Sequence, residues 1–271
     1  MTSEYQQNFD PAALLTWHVA MGADEAIDCD VIDRFTTTPP LPIAATISQT
    51  AQQPSQAGPT PVTARPAQPT NGASVDEATS AANACNSLEE LDAALMAFDG
   101  GLLKRSAKNT VCAGGTAGAA LMVIGDVPGR EDDQSGVPFS GPQGDLLDKM
   151  LAAIGILRSS TAYLATLLPW RPLGNSKPEA NLLAVCKPFT ERRIILAKPS
   201  IILTMGSEPG KILFGTQDSI SRQRGKWQQL KIGDQTFAAI ATYHPTYLLS
   251  QPHLKGAAWK DLLAVKDKLP S

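Results

Sequence analysis

Four short apolar runs punctuate the C-terminal two-thirds of the chain: Ala119–Ile124 (AALMVI), Tyr163–Leu168, Ser200–Met205 (SIILTM) and Phe237–Tyr243 (FAAIATY). Each has the length of a strand, and unbroken apolar runs of that length read as strands buried on both faces. Between them apolar residues recur at helical spacing. Gly144–Ile154 shows it best, with Leu146, Leu147, Met150, Leu151 and Ile154. SLEELDAALMAF, Leu182–Ile195, Glu208–Phe214 and Ala257–Leu269 read the same way. Ser87 followed by Glu90 forms a capping box, and Gly100-Gly101 ends that helix. Strands alternating with helices predict an α/β fold: a parallel sheet with helices on both faces.

The rest of the chain reads differently. Residues 1–36 form a helical segment, with Leu14, Leu15, Trp17, Val19 and Met21 ahead of Gly22, then a second short helix around Ala23–Phe35. Residues 37–86 are rich in Pro, Ala and Thr, nearly free of charge in their first half and aperiodic. Such composition predicts a disordered linker, because it offers too little apolar surface to offset the entropy of ordering. A domain of residues 87–271 follows.

Composition narrows the class. Hydrophobic residues make up 43% of the 271, enough for a real core. Four cysteines without a CxxC pair give neither a disulfide framework nor zinc-finger spacing. No apolar run approaches the ~20 residues of a membrane span, and the start MTSEYQQNFD lacks the features of a secretory signal. A reducing, cytoplasmic setting is expected. Charge is uneven. Up to Asn86 there are 2 basic and 9 acidic residues, a net −7; from Ser87 there are 21 basic and 17 acidic, a net +4. The second part can therefore meet a polyanion.

In parallel sheets of this kind the site lies at the carboxyl ends of the strands. The Gly- and Pro-rich segments fall there: Gly125–Gly141, Pro169–Pro178, Gly206 and His244-Pro245. The first places Asp126 beyond a buried strand, then Glu131, Asp132 and Asp133, then Phe139 among small residues. Small residues around one aromatic suit a loop that admits a planar ring. Each feature alone has a plainer reading: solvated acids, a packing Phe, a His capped by backbone and two core leucines at Leu248 and Leu249.

The combination is more specific. GDVPGREDDQSGVPFSG, WRPLGNSKP, RQRGKW and YHPTYLLSQP, with Lys255 and Trp259 following, occur in that order over residues ~87–269. The set resembles the type-4 uracil-DNA glycosylases, whose usual forms are GEAPG with PFVG, RPPGN, RGxW and HPxYLL. The resemblance implies a three-layer α/β/α sandwich around a four-stranded parallel sheet. It also implies an enzyme that flips deoxyuridine out of DNA and hydrolyses its N-glycosidic bond. On that footing Phe139 stacks on the uracil. Asp126 and Asp132 match the family's catalytic acids, and His244 hydrogen-bonds uracil O2. Gly125, Val127, Pro128 and Gly129 shape the pocket. Leu248 or Leu249 fills the gap in the stack. Arg171, Lys226 and Lys255 are the implied phosphate contacts. The partner is DNA, single- or double-stranded, with no membrane and a monomer expected. The N-terminal helices are a candidate contact for a protein.

Departures from the family pattern matter. Where relatives carry an Asn that reads the uracil edge, this chain has Thr166, whose hydroxyl cannot supply paired donor and acceptor. Asp126 and Asp132 replace Glu, and Ser250 stands where Arg is common. The family's 4Fe-4S cluster needs four thiolates, yet the matching positions are Phe98, Gly101, Trp170 and Cys186. Cys29, Cys85 and Cys112 are poorly placed substitutes. No cluster is expected, with Trp170 filling its volume. Two alternatives stay open. One is a glycosylase for another damaged base. The other is a catalytically inactive homologue that binds DNA or lesions as an adaptor.

Overall fold

The computed structural model describes residues 74–270, so the predicted N-terminal helices and most of the predicted linker lie outside it. In chain order the elements are α1 (Val75–Ala84), α2 (Leu88–Ala97), α3 (Gly101–Ser106), β1 (Ala113–Gly115) and β2 (Leu121–Gly125). Then come α4 (Arg130–Ser135), α5 (Pro142–Ala152), β3 (Ala162–Thr166) and α6 (Ala180–Ala197). The remainder is β4 (Ile201–Met205), α7 (Ser207–Phe214), α8 (Ile220–Gln223), β5 (Trp227–Ile232), β6 (Gln235–Thr242), α9 (Pro245–Ser250) and α10 (Lys255–Lys268). None of the described helices is long and apolar enough to cross a membrane.

Helix α1 corrects the linker boundary, since residues 75–84 were expected to be disordered. Ser74 and Glu77 form a reciprocal cap: the Ser hydroxyl accepts from Glu77 N–H, and the Glu77 carboxylate accepts from Ser74 N–H. Ala78 and Ala82, one turn apart, are wholly buried in a cluster with Leu183 and Phe189 of α6. Arg192 of α6 also donates to the Cys85 carbonyl.

The sheet has six strands in the order β1-β3-β2-β4-β6-β5. Its centre, β3-β2-β4-β6, is parallel throughout and consists of the four predicted strands. The expectation of four strands falls short by two antiparallel edges, β1 on β3 and β5 on β6. Neither edge advertises itself. Strand β1 is Ala-Gly-Gly, without side chains to alternate. Strand β5 (WQQLKI) is half-exposed, and a two-residue Gly233-Asp234 loop turns it into β6.

Strands β2 and β4 are buried along their whole length, as the apolar runs predicted. Successive side chains point to opposite faces, and two cores follow. Leu121, Val123, Leu164 and Leu203 pack with Leu147 and Leu151 of α5 and with Leu262 and Val265 of α10. Met122, Ile124, Tyr163 and Ile202 pack with Ile194 of α6 and Leu213 of α7. The result is a three-layer α/β/α sandwich. Parallel register aligns Gly125 with Thr166 and Met205 with Thr242. Four loops thus leave the sheet along one edge.

Candidate active site

Asp126 directly follows β2. Its Oδ1 accepts from Glu208 N–H at 3.1 Å, in the first turn of α7. Gly206, between β4 and α7, makes this approach possible. It has φ +103°, and a Cβ there would run into the Asp126 carboxylate. Burial pushes the Asp126 carboxyl up to about 7, against the opposing pull of the Glu208 N–H. Such a group can carry a proton away near neutral pH.

Phe139 sits at φ +55°, unusual for a bulky residue, and is 2% exposed. Arg158 holds that backbone by donating to the carbonyls of Phe139 (2.8 Å) and Pro138 (3.3 Å). Gly125 leaves the room: a Cβ there would lie 2.7 Å from the Phe139 ring. The Phe139 ring lies against the His244 ring, centroids 5.6 Å apart and planes at 22°. His244 follows β6 as the N-cap of α9, and its Nδ1 accepts from Thr246 N–H at 3.3 Å. Burial lowers its pKa to about 4, so the ring is neutral at pH 7. With Nδ1 accepting, the single proton is on Nε2.

Asp132 sits in a denser set of hydrogen bonds. It accepts from Gly129 N–H (2.8 Å), Ser140 N–H (2.6 Å) and Gln143 Nε2 (3.0 and 3.2 Å). Burial raises its pKa while these bonds oppose the rise. The carboxylate thus braces both ends of the loop that carries Phe139. Gln143, which the sequence did not single out, joins two motifs: its Oε1 accepts from Thr246 Oγ1 at 2.7 Å. A continuous chain runs from Asp132 through Gln143 and Thr246 to His244. A second brace lies behind His244. Asp261 accepts from Thr242 Oγ1 (2.7 Å) and, through both oxygens, from Arg224 (2.7 and 3.0 Å).

A family model described as the uracil DNA glycosylase superfamily matches residues 113–263, more than half of the chain. The chain belongs to this superfamily. Among its relatives, a type-4 uracil-DNA glycosylase of Saccharolobus solfataricus is 32% identical over 168 residues, covering 60% of this chain and 78% of the relative. The type-4 enzyme of Archaeoglobus fulgidus is 32% identical over 157 residues, 56% of this chain and 78% of the relative. That of Thermotoga maritima is 31% identical over 142 residues, 52% and 72%.

The other residues matched to the superfamily's motifs divide. Gly129 caps α4, Pro128 is buried, and Val127 packs toward the α1–α2–α6 cluster. Thr166 donates its hydroxyl to the Leu168 carbonyl at 2.6 Å, so that proton is already committed. Lys226 and Lys255 are exposed, and Arg171 is partly buried beyond β3. The two adjacent leucines differ in exposure, Leu248 buried and Leu249 not. Leu248 is 1% exposed and packed with Tyr243 and Ala258. Leu249, one residue on and 44% exposed, faces out.

At the positions where the family's type-4 members bind a cluster, the donors do not fit one. Trp170 is 1% exposed, packs on Gly100 and donates Nε1–H to Thr110 Oγ1 at 2.9 Å. Phe98 meets Phe189 edge-on at 5.0 Å. The space beside Cys186 is a void of about 10 Å³, about one water's worth. Burial pushes the Cys186 thiol up to about 12, which marks an inert core residue. Among the described residues, no three His, Cys, Asp or Glu side chains gather as a metal site.

Proposed function

We propose that the chain is a DNA-repair glycosylase that flips deoxyuridine out of DNA and hydrolyses its N-glycosidic bond, leaving an abasic site. The observation that carries this reading is the state of His244. It is a neutral imidazole, its Nδ1 is occupied by Thr246 N–H, and its Nε2–H is left to donate. As the bond from C1′ to N1 breaks, both electrons go to the uracil ring and charge builds on O2. A neutral donor aimed there stabilises that charge. Asp126 orients water toward C1′ and takes its proton as the new C1′–O bond forms. Phe139 supplies the stacking face. Phe139 is 2% exposed, with the His244 ring against it. Asp132 and Gln143 act as positioning residues.

DNA contacts are assigned to Arg171, Lys226 and Lys255, with Leu249 in place of Leu248 as the wedge. The fold stands without an iron–sulfur cluster in this reading, which the packed indole of Trp170 supports. Iron analysis of the purified chain tests that point: stoichiometric iron would overturn it. The test of activity is a labelled oligonucleotide bearing one uracil, treated with alkali after incubation. Scission by the wild type, reduced about 10²–10³-fold in His244→Ala, is expected. Absence of scission by the wild type refutes the reading.

The commitment of the Thr166 hydroxyl to Leu168 favours a second reading, in which base choice is relaxed. Without an amide to pair with the uracil edge, discrimination against other bases weakens. The same assay with oligonucleotides carrying other deaminated bases decides it: cleavage confined to uracil removes this reading.

A further inference from the structure

We propose that the groove between α5 and α10 is a second nucleobase subsite, which takes an unpaired base of single-stranded DNA beside the flipped nucleotide. This rests on the reading of the chain as a glycosylase acting on DNA. The groove measures about 240 Å³, and its floor includes Leu146, Met150 and Leu262. Trp259 forms a wall and is 40% exposed. Lys149 and Lys255 line it through their stems, its surface being almost wholly apolar, and no carboxylate residue lines it.

That chemistry selects an occupant. An apolar slot with an exposed indole accepts a flat heteroaromatic ring, because every base has a face on which to stack. Lys149 and Lys255 are exposed, so the ammonium groups beyond those stems suit an anion attached to that ring. An apolar peptide segment satisfies the slot but leaves the lysines without purpose; a nucleotide satisfies both. The location agrees. Leu248 lines the groove from α9, the six-residue helix capped by His244 and carrying exposed Leu249. At 1.5 Å per residue this helix is about 9 Å long. Leu248 stands about one turn along that helix from His244, so the groove adjoins the helix that His244 caps.

The experiment uses the full chain and a fluorescein-labelled single-stranded oligonucleotide bearing one 2′-fluoro-2′-deoxyuridine, a slowly hydrolysed analogue. Affinity is read by anisotropy across a salt series. Trp259→Leu is expected to raise Kd about tenfold and the KM for uracil-containing single strands in parallel. Trp259→Phe is expected to stay within about threefold, since it keeps an aromatic face. Lys149→Ala and Lys255→Ala each reduce the slope of log K against log salt by about 0.7. Unchanged affinity of Trp259→Leu, in a chain that still excises uracil, overturns the subsite alone. So does a change in the sedimentation of DNA-free protein on Trp259→Leu, which marks the groove as a contact between copies. A wild type that excises no uracil overturns the glycosylase reading and the subsite with it. Should Trp259→Leu fail to fold, Trp259→Phe and the two lysine variants carry the test.

Discussion

Replacing Asp126 by Asn should abolish catalysis and stabilise the fold at the same time. Burial raises this carboxyl from 3.8 to about 7. Ionised Asp126 is therefore a burden on the native state, at about 1.4 kcal/mol per pH unit. The full gap corresponds to about 4 kcal/mol at pH 8. The side chain keeps partial contact with water, so we take about 2 kcal/mol as the working value. Asn retains the oxygen that accepts from Glu208 N–H, so little else changes. The folded pKa lies above the unfolded one. The protonated form's stability is therefore fully present below about pH 4, is lost as pH rises toward 7, and stays lost above. The variant should melt roughly 4–8 °C above wild type at pH 8, with a smaller gap at pH 5. Thermal melts followed by circular dichroism at the two pH values measure it. A variant that melts with or below wild type at pH 8, or a gap that does not widen with pH, refutes the account of Asp126.

Further outcomes follow from the same geometry. The kcat/KM for uracil excision should climb about tenfold per pH unit below 7 and level off above it, because Asp126 must be ionised. His244, already neutral above about 4, should add no falling limb between pH 5 and 9; a bell-shaped profile in that window contradicts this. Leu248→Ala should lose roughly 3 kcal/mol of stability in a denaturant melt, whereas Leu249→Ala should melt as wild type and weaken duplex binding. The opposite pattern would restore Leu248 as the wedge. Gln143→Ala should lower kcat about 10–100-fold with KM for DNA little changed; a loss confined to KM would make Gln143 a DNA contact. Trp170→Ala should lose about 4 kcal/mol, seen as a lower denaturation midpoint, and a near-neutral effect would argue against its packing role.

What the sequence revealed and what it hid have physical reasons. Strands β2 and β4 were legible because both of their faces are buried, so their apolar runs are unbroken. Helix α1 was hidden because Ala78 and Ala82, which bury it, are the residue type that filled the supposed linker. Its Ser74–Glu77 cap was nonetheless there to be seen. Strand β1 has no side-chain pattern at all, while the Gly233-Asp234 turn was a usable hairpin signal left unread. At the site, Phe139, His244 and Asp126 were found by motif, and the structure brings Phe139 against His244. For Asp132 a sequence shows an acid and not its hydrogen-bond partners. Those partners, Ser140 and Gln143, lie eight and eleven residues on. Two adjacent leucines look alike in a motif, and only the turn of α9 decides that Leu248 faces inward.

The indole of Trp170, bonded to Thr110 and pressed on Gly100, has a consequence beyond packing. A centre built of hydrocarbon is complete when translation ends. On the reading proposed above, without an iron–sulfur cluster, it awaits no metal delivery and holds no iron for peroxide to attack. On that same reading, its excision of uracil is independent of the iron supply.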